Sequence, residues 1–206
     1  IAKFREDNYE EKDGLKIVPE ENKVGFVDDI KEDLARRDFS INAMAYNEAD
    51  GIVDLYNGQE DIKNKVINFV GNAEERIIED PLRVLRAFRF MSRLGFSLSE
   101  NTIEAIKKQK NLLTGIPEER ITMEFSKLLL GENVKNTLTS MKDTGVLELI
   151  IPEFKATYDF EQHNPHHNLD LFNHIISVVS KVPADLELRY TALLHDIAKP
   201  LVQTFD

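Results

Sequence analysis

The 206-residue chain contains no cysteine and no tryptophan. The first absence excludes a disulfide framework, a thiolate metal site and a cysteine nucleophile, and it suits a reducing compartment such as the cytoplasm. Nine glycines and seven prolines are too few for collagen-like or low-complexity sequence. No apolar run approaches the roughly 18 residues that a membrane-spanning helix needs, so no membrane partner is expected. Basic residues are short as well: 26 Lys and Arg face 37 Asp and Glu, a formal net charge of −11. Such a balance argues against a bulk electrostatic grip on nucleic acid, and any phosphate contact must come from a local cluster. The chain opens at Ile1 without an initiator methionine or signal-peptide pattern and stops at Phe205-Asp206, so it reads as a piece cut from a longer protein.

What remains is ordinary globular sequence, 42% hydrophobic and 31% charged, with room for one large or two small domains. The pattern changes twice, which predicts three parts: 1–71, 72–152 and 153–206. The first reads as mixed α and β. Strands are expected at Lys23–Val27 and Ile41–Tyr46 with a charged helical turn, Asp29–Arg36, between them. A second strand pair, Ile52–Leu55 with Val66–Val70, flanks a short helix opened by Gly58-Gln59-Glu60-Asp61. The charged stretch Glu6–Glu21 reads as a mobile loop. After Gly71 only helices are expected: Asn72–Glu79, Pro81–Leu94 closed by Gly95, Ser99 to Lys110, one begun at Pro117 and ended by Gly131, Val134–Thr144, the apolar segment before Pro152, then Leu169–Val182 and Leu186–Ala198.

The first constellation with chemistry is Glu79-Asp80-Pro81-Leu82-Arg83. Asp80 suits an N-cap, and Arg83 lies three residues on, where the two side chains can meet. A carboxylate held beside a guanidinium offers an acceptor next to donors. Adenine and cytosine complement that order, whereas guanine and uracil set donor against donor, and unpaired buried groups reject strongly. The same five residues also read as a helix cap with a local ion pair. On the following helix Arg83, Arg86, Arg89 and Arg93 form a stripe opposite Val84, Leu85, Phe88 and Met91. Either it is a solvated face, or several of these arginines meet phosphate, for which guanidinium is suited. Arg36-Arg37-Asp38, before Phe39-Ser40-Ile41-Asn42-Ala43, is likewise open between phosphate and ribose binding and a structural ion-pair knot.

Taken in order, Arg36 to Ala43, Gly51-Ile52-Val53-Asp54 with Gly58-Gln59-Glu60-Asp61, Glu79-Asp80 to Arg83, and Glu119-Arg120 to Glu124 resemble the class II tRNA nucleotidyltransferases. These are the bacterial-type CCA-adding enzymes and their poly(A) polymerase relatives, and the match runs from about Val24 to Phe154. The resemblance implies an α+β protein, a partial nucleotidyltransferase head followed by an all-α neck and body. It implies template-independent addition of nucleotides from CTP and ATP to the 3′ end of tRNA, with poly(A) polymerase as the alternative. It assigns Arg36, Arg37 and Asp38 to the nucleotide's phosphates and ribose, and Arg86 and Arg89 of the stripe are expected to bind the nucleotide beside them. Asp80 and Arg83, supported by Glu79, would read the base. Glu119, Arg120 and Glu124 would brace that turn, and Asp54 would serve a hinge. The family's two-metal carboxylates, which hold magnesium, are expected upstream of Ile1, so no catalytic carboxylate is assigned here and this chain alone is expected not to transfer nucleotides.

The third part resembles the start of an HD domain. His174 on one helix and His195-Asp196 near the end of another are the implied divalent-metal ligands, with a later Asp missing from the set. A metal-dependent phosphohydrolase acting on cyclic or 2′-phosphates is the alternative function from a different class. His163, His166 and His167 read as solvent-exposed, although His167 is close enough in sequence to join such a site.

Overall fold

The computed structural model describes residues 4–7, 10–12, 15–17, 24–27, 29–49, 51–158, 160 and 170–202. They pack as two compact units, one made of residues 1–87 with 96–112 and the other of 88–95 with 113–206. No helix among the described residues is long and apolar enough to cross a membrane.

In the first unit β1 (Phe4–Asp7) pairs antiparallel with β4 (Val24–Val27), and between them β2 (Glu10–Lys12) pairs with β3 (Leu15–Ile17). The mobile loop expected over Glu6–Glu21 is thus corrected for its described residues: Glu10–Lys12 and Leu15–Ile17 pair through backbone hydrogen bonds, which need no apolar run. Helix α1 (Ile30–Ala35) starts where expected, with the Asp29 carboxylate accepting from the Lys31 N–H at 2.9 Å. The strand expected at Ile41–Tyr46 begins later. Ser40–Asn42 forms a 3₁₀ turn, and β5 (Met44–Asn47) makes a hairpin with β6 (Gly51–Asp54).

Helix α2 (Gly58–Asn64) is capped by Asp54, which accepts from the Gly58 and Gln59 N–H groups at 2.7 and 2.8 Å. Burial raises the Asp54 carboxyl, but these backbone donors outweigh it and leave the group below its ordinary value. Gly58 is required by closeness, since a Cβ there would lie 2.4 Å from the Ser40 carbonyl oxygen. Asp61 then ties the unit together, pairing with the Ser40 hydroxyl and accepting from Asn68 Nδ2 at 2.8 Å.

The expected pairing of Ile52–Leu55 with Val66–Val70 does not form. β7 (Val66–Ile67) instead runs parallel to β8 (Ser97–Leu98), while Phe69 bridges to Phe39, their rings 4.9 Å apart. A strand at Ser97–Leu98 also corrects the expectation of helices alone after Gly71. Gly95 at φ +68° ends the preceding helix, and the two residues before the Ser99 cap are extended, so Ser97 N–H reaches the Lys65 carbonyl at 2.9 Å. Helices α3 (Ala73–Glu79, capped by Asn72), α4 (Arg83–Leu94) and α5 (Glu100–Gln109, capped by Ser99) follow their sequence signals, except that Pro81 and Leu82 form a turn before α4. Leu34, Phe39, Ile67, Ile77, Leu85 and Ile106 fill this unit's core.

The second unit holds the last eight residues of that stretch, 88–95, with α6 (Glu118–Leu129), α7 (Val134–Thr144), α8 (Leu147–Ile150), α9 (Leu171–Lys181), α10 (Leu186–Leu194) and α11 (Lys199–Val202). The single helix expected over Leu186–Ala198 therefore breaks at His195. Its core is Phe88, Phe125, Leu128, Met141, Phe154, Phe172 and Ile176 among others. Ser92 and Gly131 touch where α4 meets the end of α6. The Ser92 hydroxyl donates to the Leu128 carbonyl at 2.7 Å, and the Ser92 carbonyl accepts from the Asn133 N–H at 2.9 Å.

A Cβ on Gly131 would lie 2.5 Å from the Ser92 carbonyl carbon, whereas one on Gly115 would meet nothing within 4 Å. Gly131→Ala should therefore cost about 1–3 kcal/mol through overpacking and lower Tm by roughly 2–10 °C, with Gly115→Ala nearly neutral. Thermal unfolding of the two variants checks this. Equal melting temperatures would show that the close approach relaxes freely.

Candidate functional site

The two arginine motifs, 47 residues apart in sequence between Arg36 and Arg83, meet in the first unit. Helix α1 ends at Ala35, and the next two residues fold back over its last turn. Asp33 is buried beneath them and uses both carboxylate oxygens. Oδ1 accepts from Arg36 Nε at 3.0 Å, and Oδ2 accepts from Arg37 Nη2 at 3.0 Å. Arg37 also donates to the Asn42 carbonyl at 2.9 Å, fixing its guanidinium against the 3₁₀ turn. Asp38 is buried too: Oδ1 accepts from the Phe39 N–H at 2.9 Å, and Oδ2 lies 2.6 Å from Arg86 Nη2. The outcome is three guanidiniums graded in exposure, with side chains 24% exposed at Arg36, 42% at Arg37 and 36% at Arg86, each held by a buried carboxylate.

Beside them α3 and α4 bring a second network. Glu79 pairs with Arg76 three residues back and with Arg83 four residues on, the latter at 2.9 Å. Arg83 is buried and donates as well to the Arg76 carbonyl at 2.9 Å and the Arg36 carbonyl at 3.3 Å. The meeting of Arg83 with Asp80 expected from their spacing is therefore corrected. The three-residue turn before α4 leaves Asp80 extended, its Oδ1 accepting from the Leu82 N–H at 3.2 Å, and Glu79, one helical turn from Arg83, takes the guanidinium instead.

The basic stripe on α4 is not uniform. Arg83 is buried, Arg86 faces Asp38, and Arg93 is exposed. Arg89 lies in the second unit, 3.2 Å from the buried Glu124, which also accepts from Lys127 at 3.0 Å. Glu119 and Arg120 are exposed at the start of α6.

Elsewhere in the second unit His174 from α9 converges with His195 and Asp196 after α10. Asp196 Oδ2 lies 3.4 Å from His174 Nε2, 3.2 Å from His195 Nε2 and 2.7 Å from Lys199 Nζ. His195 Nδ1 sits 2.7 Å from the Ala192 carbonyl, a contact that assigns the proton to Nδ1. The Nε2 atoms of both imidazoles and the Lys199 ammonium thus converge on one carboxylate oxygen. His163, His166 and His167 lie outside the described residues.

Sequence reasoning passed over Asp33, Arg76 and Lys199. The signals were present as Asp33 to Arg36 and Arg37, Arg76 to Glu79 and Asp196 to Lys199, all at three- or four-residue helical spacing.

Two family profiles match the chain: the Poly A polymerase head domain over residues 1–68, and the probable RNA and SrmB-binding site of polymerase A over residues 95–157. The two profiles describe successive parts of one type of protein, the poly(A) polymerase type, with the arginine and carboxylate pairs of α1 and the following turn inside the head match. The CCA-adding enzyme of Lactobacillus delbrueckii subsp. bulgaricus is 41% identical over 176 residues, covering 80% of this chain and 42% of that protein. That of Bacillus subtilis is 47% identical over 127 residues, 62% of this chain and 32% of the relative. The chain thus spans less than half the length of these relatives. Among solved structures, the Bacillus stearothermophilus CCA-adding enzyme in complex with CTP is similar at TM-score 0.61 and 28% identity, over 89% of this chain and 58% of its own. A tRNA nucleotidyltransferase complexed with a primer tRNA and an incoming ATP analog gives 0.57 and 30%, over 82% and 55%. The chain belongs to the class II tRNA nucleotidyltransferase family.

Burial raises the Asp33 carboxyl, but hydrogen bonds and charge from Arg36 and Arg37 outweigh it and hold the group below its ordinary 3.8. A lowered native pKa adds stability above the unfolded value, and that stability disappears as pH falls through the native one. Asp33→Asn should accordingly melt below wild type near neutral pH, with the gap closing below 3.8. Tm measured against pH checks this. A gap that stays constant into acid would remove the ion pairs as its source.

Proposed function

We propose that this chain supplies the nucleotide-reading part of a template-independent nucleotidyltransferase that adds nucleotides from CTP and ATP to the 3′ end of tRNA in the cytoplasm. The observation that carries the reading is the juxtaposition of the Arg36-Arg37-Asp38 segment with the Asp80–Arg83 turn. Arg36, Arg37 and Arg86 offer guanidinium edges for phosphate oxygens, and Asp38, with Arg86, flanks the ribose. Glu79 and the two backbone carbonyls occupy three of the five N–H groups of Arg83. Its Nε–H and one Nη2–H are left to donate along one edge. Asp80, half-buried and engaged through one oxygen, offers the neighbouring acceptor. That order pairs with adenine and cytosine and sets donors against guanine and uracil. Taking CTP as well as ATP separates this reading from poly(A) polymerase. Arg89, Glu119, Arg120 and Glu124 are assigned no nucleotide contact.

In the family reaction a ribose 3′-hydroxyl attacks the α-phosphate and pyrophosphate leaves. Magnesium supplies the charge stabilisation for that transfer, but its hard oxygen-rich coordination finds no fitting set here. Among the described residues only His174, His195 and Asp196 group with metal-ligand spacing, and imidazole does not suit magnesium.

Equilibrium dialysis of the four nucleotides against this chain tests the base-reading role. ATP and CTP should bind more tightly than GTP and UTP. Asp80→Ala, which removes the acceptor along with its bond to the Leu82 N–H, should bring the four affinities together. Preference unchanged by the substitution would sink the assignment.

A second reading concerns the other unit, which we assign a divalent transition-metal site at His174, His195 and Asp196. Ligands about 2.0–2.1 Å from a tetrahedral ion lie about 3.3 Å apart, and the two nitrogen-to-oxygen distances are 3.4 and 3.2 Å. Such an ion would serve hydrolysis of a phosphate ester by activating water. Calorimetric titration with zinc or manganese should show one site in wild type and none in Asp196→Asn. Equal uptake by both would exclude it.

A further inference from the structure

We propose that Arg76 is a positioning residue that couples base selection to the grip on the triphosphate, by fastening the base-reading turn to the backbone that carries Arg36 and Arg37. The inference rests on the nucleotide site proposed above and adds a residue that touches no nucleotide there.

Helix α1 ends with carbonyls that have no partner inside the helix. Two of them, on adjacent residues, are taken by guanidiniums from elsewhere in the unit. Arg76 Nη1 donates to the Ala35 carbonyl at 3.1 Å, and Arg83 Nη2 donates to the Arg36 carbonyl at 3.3 Å. Both arginines share the Glu79 carboxylate, and Arg83 Nη1 also donates to the carbonyl of Arg76 itself at 2.9 Å. Arg76, Glu79 and Arg83 therefore form one closed link between α3, the start of α4 and the end of α1. Any movement of the base-reading turn acts on the peptide that bears Arg36, and through Asp33 on Arg37.

Within this link Arg76 has a distinct part. Arg83 is assigned to the base and Glu79 to holding Arg83, whereas the Arg76 guanidinium spans a carbonyl on one side and a carboxylate on the other. That geometry needs a planar fork. A lysine ammonium is a point donor on a flexible stem and holds two acceptors in fixed directions less well. Without Arg76, Glu79 is held by Arg83 alone and the Ala35 carbonyl loses its donor. Arg83 then holds the Arg36 peptide alone, at its longest contact.

The test is equilibrium dialysis of ATP, CTP, GTP and UTP against wild type, Arg76→Met, Arg76→Lys and Asp80→Ala, with Tm recorded for each. Arg76→Met should weaken ATP and CTP binding roughly tenfold while changing GTP and UTP little, so that the preference narrows. Arg76→Lys should recover part of it. Equal weakening of all four nucleotides, or a lower Tm with preference intact, assigns Arg76 to fold stability and overturns the coupling. If Arg76→Met does not fold, Arg76→Lys is judged by the same criterion, with a narrowed preference supporting the coupling and an intact one overturning it. The Asp80→Ala arm separates the two levels. A preference narrowed by Asp80→Ala but not by the Arg76 variants overturns the coupling alone, and one untouched by Asp80→Ala overturns the base-reading site and the coupling with it.

Discussion

The Glu79 carboxylate, set between Arg76 and Arg83, is the constraint on which the arginine cluster of the first unit depends. Two guanidiniums enter a largely buried region and only one carboxylate stands between them. The arrangement holds because backbone carbonyls at the end of α1 and in the last turn of α3 take three further N–H donors. Removing one member of a buried pair leaves an uncompensated charge, which is far more damaging than losing an exposed pair. The network therefore fixes the relation of α1, α3 and the start of α4, and with it the positions of Arg36, Arg37 and Asp80.

A chain of net charge −11 still presents three partly exposed arginines on one surface. Each is anchored from below by an acid: Asp33 under Arg36 and Arg37, Asp38 under Arg86. The acidic excess is thus partly a scaffold for guanidinium placement, which leaves a local basic cluster without a strong overall field. Pre-ordered arginines also lose less side-chain freedom when an anion arrives.

The second unit uses charge differently. Arg89, partly exposed, pairs with the buried Glu124, and Arg189 on α10 is buried with its Nε donating to the Pro183 carbonyl at 3.0 Å. Burial alone lowers the Arg189 pKa. His174, His195 and Asp196 come together where α9, capped by Asp170, packs against α10, capped by Asp185 and followed at once by His195. Lys199 supplies a positive charge to the same Asp196 oxygen from within the chain.

Helix boundaries and the residue types of the site were legible in the sequence, because caps, the glycine after α4 and three- to four-residue charge spacings act within a few residues along the chain. Strand partners were not. Val66–Ile67 pairs with Ser97–Leu98 rather than with Ile52–Leu55, since backbone groups accept any strand that arrives extended and in reach, and local pattern says nothing of which one does. The partner of Arg83 was decided nearer along the chain. Spacing permits both Asp80 and Glu79, but Pro81 disfavours the helical region for the residue before it, and the extended backbone at Asp80 hands the guanidinium to Glu79. The sequence by itself determined which groups carry the chemistry. The tertiary structure decided which of them face one another, because that depends on contacts between segments tens of residues apart.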